Sequence, residues 1–219
     1  MLPIKLNFVL WPCLFLSLFS QPSLAADYFT SLGIALAPAG EVSFQDRTAN
    51  AQSIAGSLQQ SSAFALNSQT GLLFDFQPLS FSLAGQAMVQ GQGIESYQID
   101  GAFNTTEDSL FISSYGLSGQ VSYHFWPEFR TALSLGAGIA MLDFTQGDQT
   151  GYDAARSAYL DTGIASAFRV HERIEIESAL ILRHYSAFEF AYLNDQRSGL
   201  MLFSDKRDLR FQNSLRFYF

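Results

Sequence analysis

The stretch Leu209-Arg210-Phe211-Gln212-Asn213-Ser214-Leu215-Arg216-Phe217-Tyr218-Phe219 decides how the chain is read. Leu209, Phe211, Leu215, Phe217 and Phe219 share one parity. Arg210, Gln212, Ser214, Arg216 and Tyr218 share the other. Successive side chains of a strand point to opposite faces. The segment therefore reads as a strand with one aromatic, apolar face and one polar, cationic face. Two settings accept such a strand: the edge of a soluble sandwich, or the wall of a barrel with lipid outside and a polar lumen inside. The rest of the chain chooses between them.

Working back from this strand, seven more period-two runs are legible. They are Tyr28 to about Val42, Ser62 to Phe76, Leu79 to Gln90, Leu110 to Phe125, Phe129 to Phe144, Ala158 to Val170, and Arg173 to about Phe188. Three connections are tight: Gln77-Pro78, Trp126-Pro127-Glu128 and His171-Glu172. Four are long and polar, at about 45–60, 91–108, 145–156 and 190–206. Long and short connections alternate strictly, which a soluble sandwich has no reason to do. Many runs exceed the usual soluble strand but suit a tilted crossing of a bilayer. Phe76, Phe125, Trp126, Phe129 and Phe168 cluster near run ends, where interface girdles lie. The expected fold is all-β: an eight-stranded antiparallel transmembrane β-barrel with up-and-down meander order.

The amino terminus has its own logic. Lys5 precedes an apolar run from Phe8 to Phe19, then Ser-Gln-Pro-Ser-Leu-Ala-Ala and Asp27. This is the pattern of a secretory signal peptide over 1–26, with cleavage after Ala25 or Ala26 and a barrel domain over 27–219. The lone cysteine, Cys13, falls inside that segment, so disulfide and thiol chemistry are not expected beyond it. Removing 1–26 takes away one lysine and no acid, moving the net charge from −8 to −9. That acidity argues against a nucleic-acid partner. His124, His171 and His184 fall on different runs or turns without ligand spacing, and the acids lack a calcium-loop pattern. No metal or cofactor is expected.

With the alternating runs and Leu215-Arg216-Phe217-Tyr218-Phe219 in view, the chain resembles the small outer-membrane barrels, the OmpA-type transmembrane domains and opacity-type surface proteins. The resemblance implies the outer membrane of a Gram-negative bacterium, with outer-membrane lipid and lipopolysaccharide as surroundings and a monomer as the unit. It also implies that Leu215, Phe217 and Phe219 are the insertion signal read by the outer-membrane assembly machinery. A barrel of eight strands has an interior just wide enough for side chains to fill. The polar parity supplies Asp75, Asp161, Glu175 and Glu177 against Arg130, Arg169, Arg183, Arg210 and Arg216. Unpaired charge in a narrow lumen is costly, so these are expected to form an ion network. Arg210 and Arg216 are the expected partners of Glu175 and Glu177. A narrow pore stays open as an alternative, because Ala132, Ser134, Gly136, Gly138 and Ala140 leave room.

One stretch invites a catalytic reading. Arg183-His184-Tyr185-Ser186 puts His184 and Ser186 on the apolar, lipid-side parity. It resembles the His-x-Ser of the outer-membrane lipid A deacylases, which implies Ser186 as nucleophile and His184 as its base. Ala187 stands where that family has an Asn, and the closing strand lacks the family's orienting Glu. The other reading makes both residues part of the polar girdle at the headgroup boundary. The preferred function is non-catalytic: an envelope or surface-interaction barrel. Its outward loops would carry Glu41, Asp46, Glu95, Asp100, Glu107, Asp108, Asp148, Asp153, Asp195 and Asp205.

Overall fold

A computed structural model describes residues 26–48, 53–99, 102–105, 109–145, 155–193, 198–203 and 206–219. Residues 1–25 of the expected signal segment 1–26, and most of the loop acids named above, lie outside them; Ala26 is the first residue of a strand. Thirteen strands are present: β1 Ala26–Ala37, β2 Gly40–Thr48, β3 Ser53–Gln60, β4 Ala63–Phe76, β5 Leu79–Ile99, β6 Ala102–Thr105, β7 Ser109–Trp126, β8 Phe129–Thr145, β9 Ala155–His171, β10 Ile174–Tyr185, β11 Phe188–Leu193, β12 Ser198–Phe203 and β13 Arg207–Tyr218.

Eight of them close a barrel. Strand β1 pairs with β4, then β5, β7, β8, β9, β10 and β13 follow, and β13 returns to β1. Every pairing is antiparallel and the order is a meander. The seam joins Leu32 to Leu215 and Leu36 to Phe211, and Phe219 N–H donates to Tyr28 O at 2.9 Å. Closure leaves no free edge in the wall. Burial alternates along β13, with Asp208, Arg210, Gln212, Ser214, Arg216 and Tyr218 inside. This is the parity read from the sequence, with a hydrophobic outside: Leu133 is 68 % exposed, Leu117 63 % and Ile164 57 %. At the end with the three tight turns, Tyr123, Phe125, Trp126 and Phe129 form a ring cluster with centroids 5.0–6.3 Å apart.

The long connections differ from expectation. The segments read as polar loops at 45–60 and 190–206 hold the hairpins β2–β3 and β11–β12. Strand β5 runs to Ile99 rather than Gln90, and β6 folds back on it. Together they form a second sheet, in the order β11-β12-β2-β3-β5 with β6 against β5. Ser, Gln and Asn dominate 45–60 and 91–99, where sparse apolar residues hid the alternation. In β11 and β12, by contrast, neighbouring apolar residues such as Tyr192-Leu193 and Leu200-Met201-Leu202-Phe203 occupy both parities. The sparse apolar residues have an inward destination. Val42, Phe44, Leu58 and Ile94 join Leu110, Ile112, Leu142 and Phe188 in a buried cluster above the lumen. These residues form an apolar cap at the end of the barrel opposite the tight turns.

Candidate functional site

Beneath the cap the described lumen is filled by three ion-pair clusters. Nearest the tight turns, Arg130 grips Glu175 with two hydrogen bonds, Nη2 to Oε1 at 2.6 Å and Nε to Oε2 at 3.0 Å. Its Nη1 donates to Ser122 Oγ at 2.7 Å. Arg216 donates to Glu177 Oε2 at 2.8 Å and approaches Glu175 at 3.5 Å. Tyr218 donates to Glu175 Oε1 at 3.0 Å, and Gln120 bridges Arg216 and Glu177. All four charged side chains are at most 2 % exposed. Two cations and two anions thus cancel inside a medium where either sign alone would be costly.

The middle cluster is Arg183 with Asp161, directly opposite in register, joined by two bonds of 2.6 Å. Arg183 also donates to Ser114 Oγ at 2.7 Å, and its guanidinium lies 3.7 Å from the Tyr159 ring centroid. Gln86 donates to Tyr159 OH at 3.0 Å and to Asp161 at 3.3 Å. Gly116 and Gly138 seat this arrangement: a Cβ on either would fall 2.3 or 2.7 Å from the Tyr159 hydroxyl. The room expected from the small residues of β8 is therefore taken by Tyr159 and Gln86.

The upper cluster was not legible as such. Lys206 donates to Asp208 Oδ1 and Gln60 Oε1, both at 3.0 Å, and to Gln92 Oε1 at 3.4 Å. Arg210, expected beside the glutamates, pairs with Asp208 at 3.1 Å and also donates to Tyr185 OH. The run Asp205-Lys206-Arg207-Asp208 reads as a solvated loop by composition. The available signal was that Lys206 and Asp208 continue the inward parity of Arg210. Asp75, assigned to the network from its parity, is not brought into it. It is exposed on the rung with Ser80, one before the last, and its Oδ1 accepts the N–H of Gln77 in the tight turn at 3.2 Å. Arg169 is half-buried over the Tyr218 ring, 5.1 Å from its centroid, and makes no ion pair among the described residues.

A void of about 10 Å³ among Asn67, Met88, Asp161, Arg183 and Arg210 marks the space in this interior. That is room for about one water molecule.

His184 and Ser186 lie on the outer wall. Ser186 Oγ meets Ser157 Oγ at 2.8 Å and accepts the Ala158 N–H at 3.0 Å. No hydrogen bond joins it to His184 among the described residues. The residues across from His184 are Leu160 and Arg207, so a cation, not a carboxylate, stands where an orienting acid would be needed. Leu215 and Phe219 are exposed and Phe217 half-buried on the same outward face.

No protein-family model matches the chain, and no curated protein matches it in sequence. Solved structures do match. OprG from Pseudomonas aeruginosa aligns over 90 % of this chain and 97 % of its own, with a TM-score of 0.60 and 11 % identity. Neisserial surface protein A aligns over 87 % and 97 %, with a TM-score of 0.51 and 10 % identity. The outer membrane protease OmpT from Escherichia coli aligns over 91 % and 99 %, with a TM-score of 0.50 and 9 % identity. At such identities the shared property is the fold, which is that of the outer-membrane barrels.

Proposed function

We propose that the protein is a non-catalytic, non-conducting barrel of the Gram-negative outer membrane, serving envelope structure or surface interaction. The observation that carries the reading is the inversion of the barrel: guanidinium–carboxylate pairs inside and a mainly aliphatic and aromatic belt outside, in which polar side chains such as Ser178 and Asn213 are bonded to each other. In water a belt of this extent would drive aggregation. In a bilayer it meets hydrocarbon, and closure satisfies the backbone. Strand β10 has 12 residues, so it spans about 40 Å along its axis and roughly 30 Å once tilted, the thickness of a hydrocarbon core. The ring cluster at the tight-turn end then marks the periplasmic interface, and the second sheet lies outside the cell. Leu215, Phe217 and Phe219 would present the insertion signal to the assembly machinery, with the closed single-chain barrel as the unit.

Membrane fractionation combined with heat-modifiable gel migration tests this reading. The expected result is a membrane-fraction protein that migrates differently before and after boiling. A protein confined to soluble periplasm, with no heat-dependent shift, would overturn it.

The apolar cap and the ion clusters favour a closed lumen over the narrow pore. In planar bilayers the purified protein is expected to give no resolved unitary current. Steady, discrete channels would contradict the closed-lumen reading. Nothing favours the esterase reading, since the Ser186 hydroxyl is engaged by β9 and His184 faces Arg207.

A further inference from the structure

One rung of the outer belt is polar across four neighbouring strands. Thr131 stands directly opposite Ser166, Ser166 opposite Ser178, and Ser178 opposite Asn213. Strands β8, β9, β10 and β13 thus carry an unbroken row of hydroxyl and amide groups on the outward face, between Tyr123 at one end and Ile34 at the other. Ser178 Oγ donates to Asn213 Oδ1 at 2.7 Å. The hydroxyls of Thr131 and Ser166 make no hydrogen bond among the described residues, and the Asn213 amide nitrogen makes none there either.

Large apolar side chains flank the row on both sides. Leu133, Ile164, Leu180 and Phe211 form the next outward rung toward the cap. Phe129, Phe168, Ile176 and Leu215 form the next toward the tight turns. The short polar residues are therefore the floor of a furrow that runs across the strands. Its cap-side part, from Tyr123 to Phe211, has a volume of about 670 Å³.

Depth and chemistry select what meets this floor. Ser178 lies four residues from Ile174, at the tight-turn end of β10. That is about 13 Å along the strand and about 10 Å of depth once tilted. On the membrane reading the row is inside hydrocarbon, where hydroxyl and amide groups of separate segments bond to one another. An acyl chain offers them no partner; a second copy of this chain does. Both copies enter the membrane in one direction, so Ser166 and Ser178 sit at the same depth in each. A two-fold axis along the membrane normal then brings the two serine pairs face to face. Strands tilted about 40° cross at about 80° over such an axis. Each furrow is perpendicular to its own strands, so the strands of the other copy run almost along it.

We propose that the protein pairs in the membrane as a two-fold dimer of closed barrels, with Ser166 and Ser178 at the axis. Their hydroxyls bond across it, and the large side chains beside the serines in each copy settle into the furrow of the other. This rests on the membrane reading and departs from the monomer that the resemblance implies. Each barrel stays complete on its own, and self-recognition is the interaction its wall supplies.

The test is sedimentation equilibrium of the purified protein in density-matched detergent micelles. The wild type is expected to form a reversible dimer. Ser166→Ala/Ser178→Ala, which keeps the furrow, is expected to raise the dissociation constant about tenfold, from roughly threefold for each of two symmetry-related hydrogen bonds. Ser166→Phe, which fills the furrow, is expected to leave monomers. Ser68→Phe places the same ring on β4, across the barrel from β9 and β10, and is expected to dimerise like the wild type. A monomeric wild type, equal dissociation by wild type and both serine variants, or a loss with Ser68→Phe as large as with Ser166→Phe overturns the proposal. Heat-modifiable migration, measured on every variant, separates the failures. If the wild type keeps its shift and is monomeric, only the dimer is lost; if it shows no shift, the membrane reading falls first.

Discussion

Arg130→Met is expected to cost the folded barrel about 3–5 kcal/mol, the range found when one member of a buried ion pair is removed. The substitution takes two hydrogen bonds from Glu175 and one from Ser122. It leaves two buried carboxylates facing Arg216 alone. Adding Glu175→Leu removes the stranded charge and leaves Arg216 paired with Glu177, so the double variant is expected to recover most of the loss. Urea unfolding in lipid vesicles measures both. Trp126 is the one tryptophan after residue 26 and sits at the same end of the barrel, so its fluorescence reports the relevant opening. A single variant within about 1 kcal/mol of the parent would show that the cluster does not stabilise the wall as argued.

The second large effect is steric. A Cβ on Gly138 would lie 2.0 Å from the Tyr115 carbonyl oxygen and 2.6 Å from the Gly116 Cα. Both obstacles are backbone, so no rotamer change relieves them. Gly138→Val must separate β7 from β8 at the rung where Gly116 and Gly138 pair. It must also push the Tyr159 hydroxyl off Gln86 and the ring from beneath Arg183. Overpacking of side chains alone costs about 1–3 kcal/mol; here the wall itself has to yield. The expected outcome is a protein that largely fails to show the heat-dependent shift. Gly119→Ala is the matched comparison, since its nearest neighbours would be 3.7 and 4.0 Å away, and it is expected to migrate like the parent. Normal migration of Gly138→Val would refute the seating argument.

These two sites also show what a sequence can and cannot disclose. Period two assigned Arg130, Arg183 and Arg216 to the lumen, because parity depends only on counting from a neighbour of known side. It could not assign partners, since those depend on the stagger between strands. Asp75 has the correct parity and the wrong height, one rung from water. Lys206 and Asp208 have the correct height but were concealed by a charged run. The hairpins β2–β3 and β11–β12 were missed for another reason. In β2–β3, rich in Ser and Gln, a few residues such as Val42, Phe44 and Leu58 give alternation too little contrast; in β11–β12 runs such as Leu200-Met201-Leu202-Phe203 put apolar residues on both parities, so no alternation shows. Gly138 could be seen as small but not as necessary, because the obstacle is the backbone of another strand.

The cap divides the molecule between two solvents. The aliphatic belt points outward and on the membrane reading has no water to escape, so lipid thickness and packing govern its stability. Val42, Phe44, Leu58 and Ile94 point inward, and the drive that gathers them is the ordinary one of aqueous proteins, with its heat-capacity signature. On the same reading, hairpins bearing them would have to cross the bilayer as chain without a core before they gather. Wall and cap should therefore answer to different agents: the wall to a change of lipid, the cap to cold and urea.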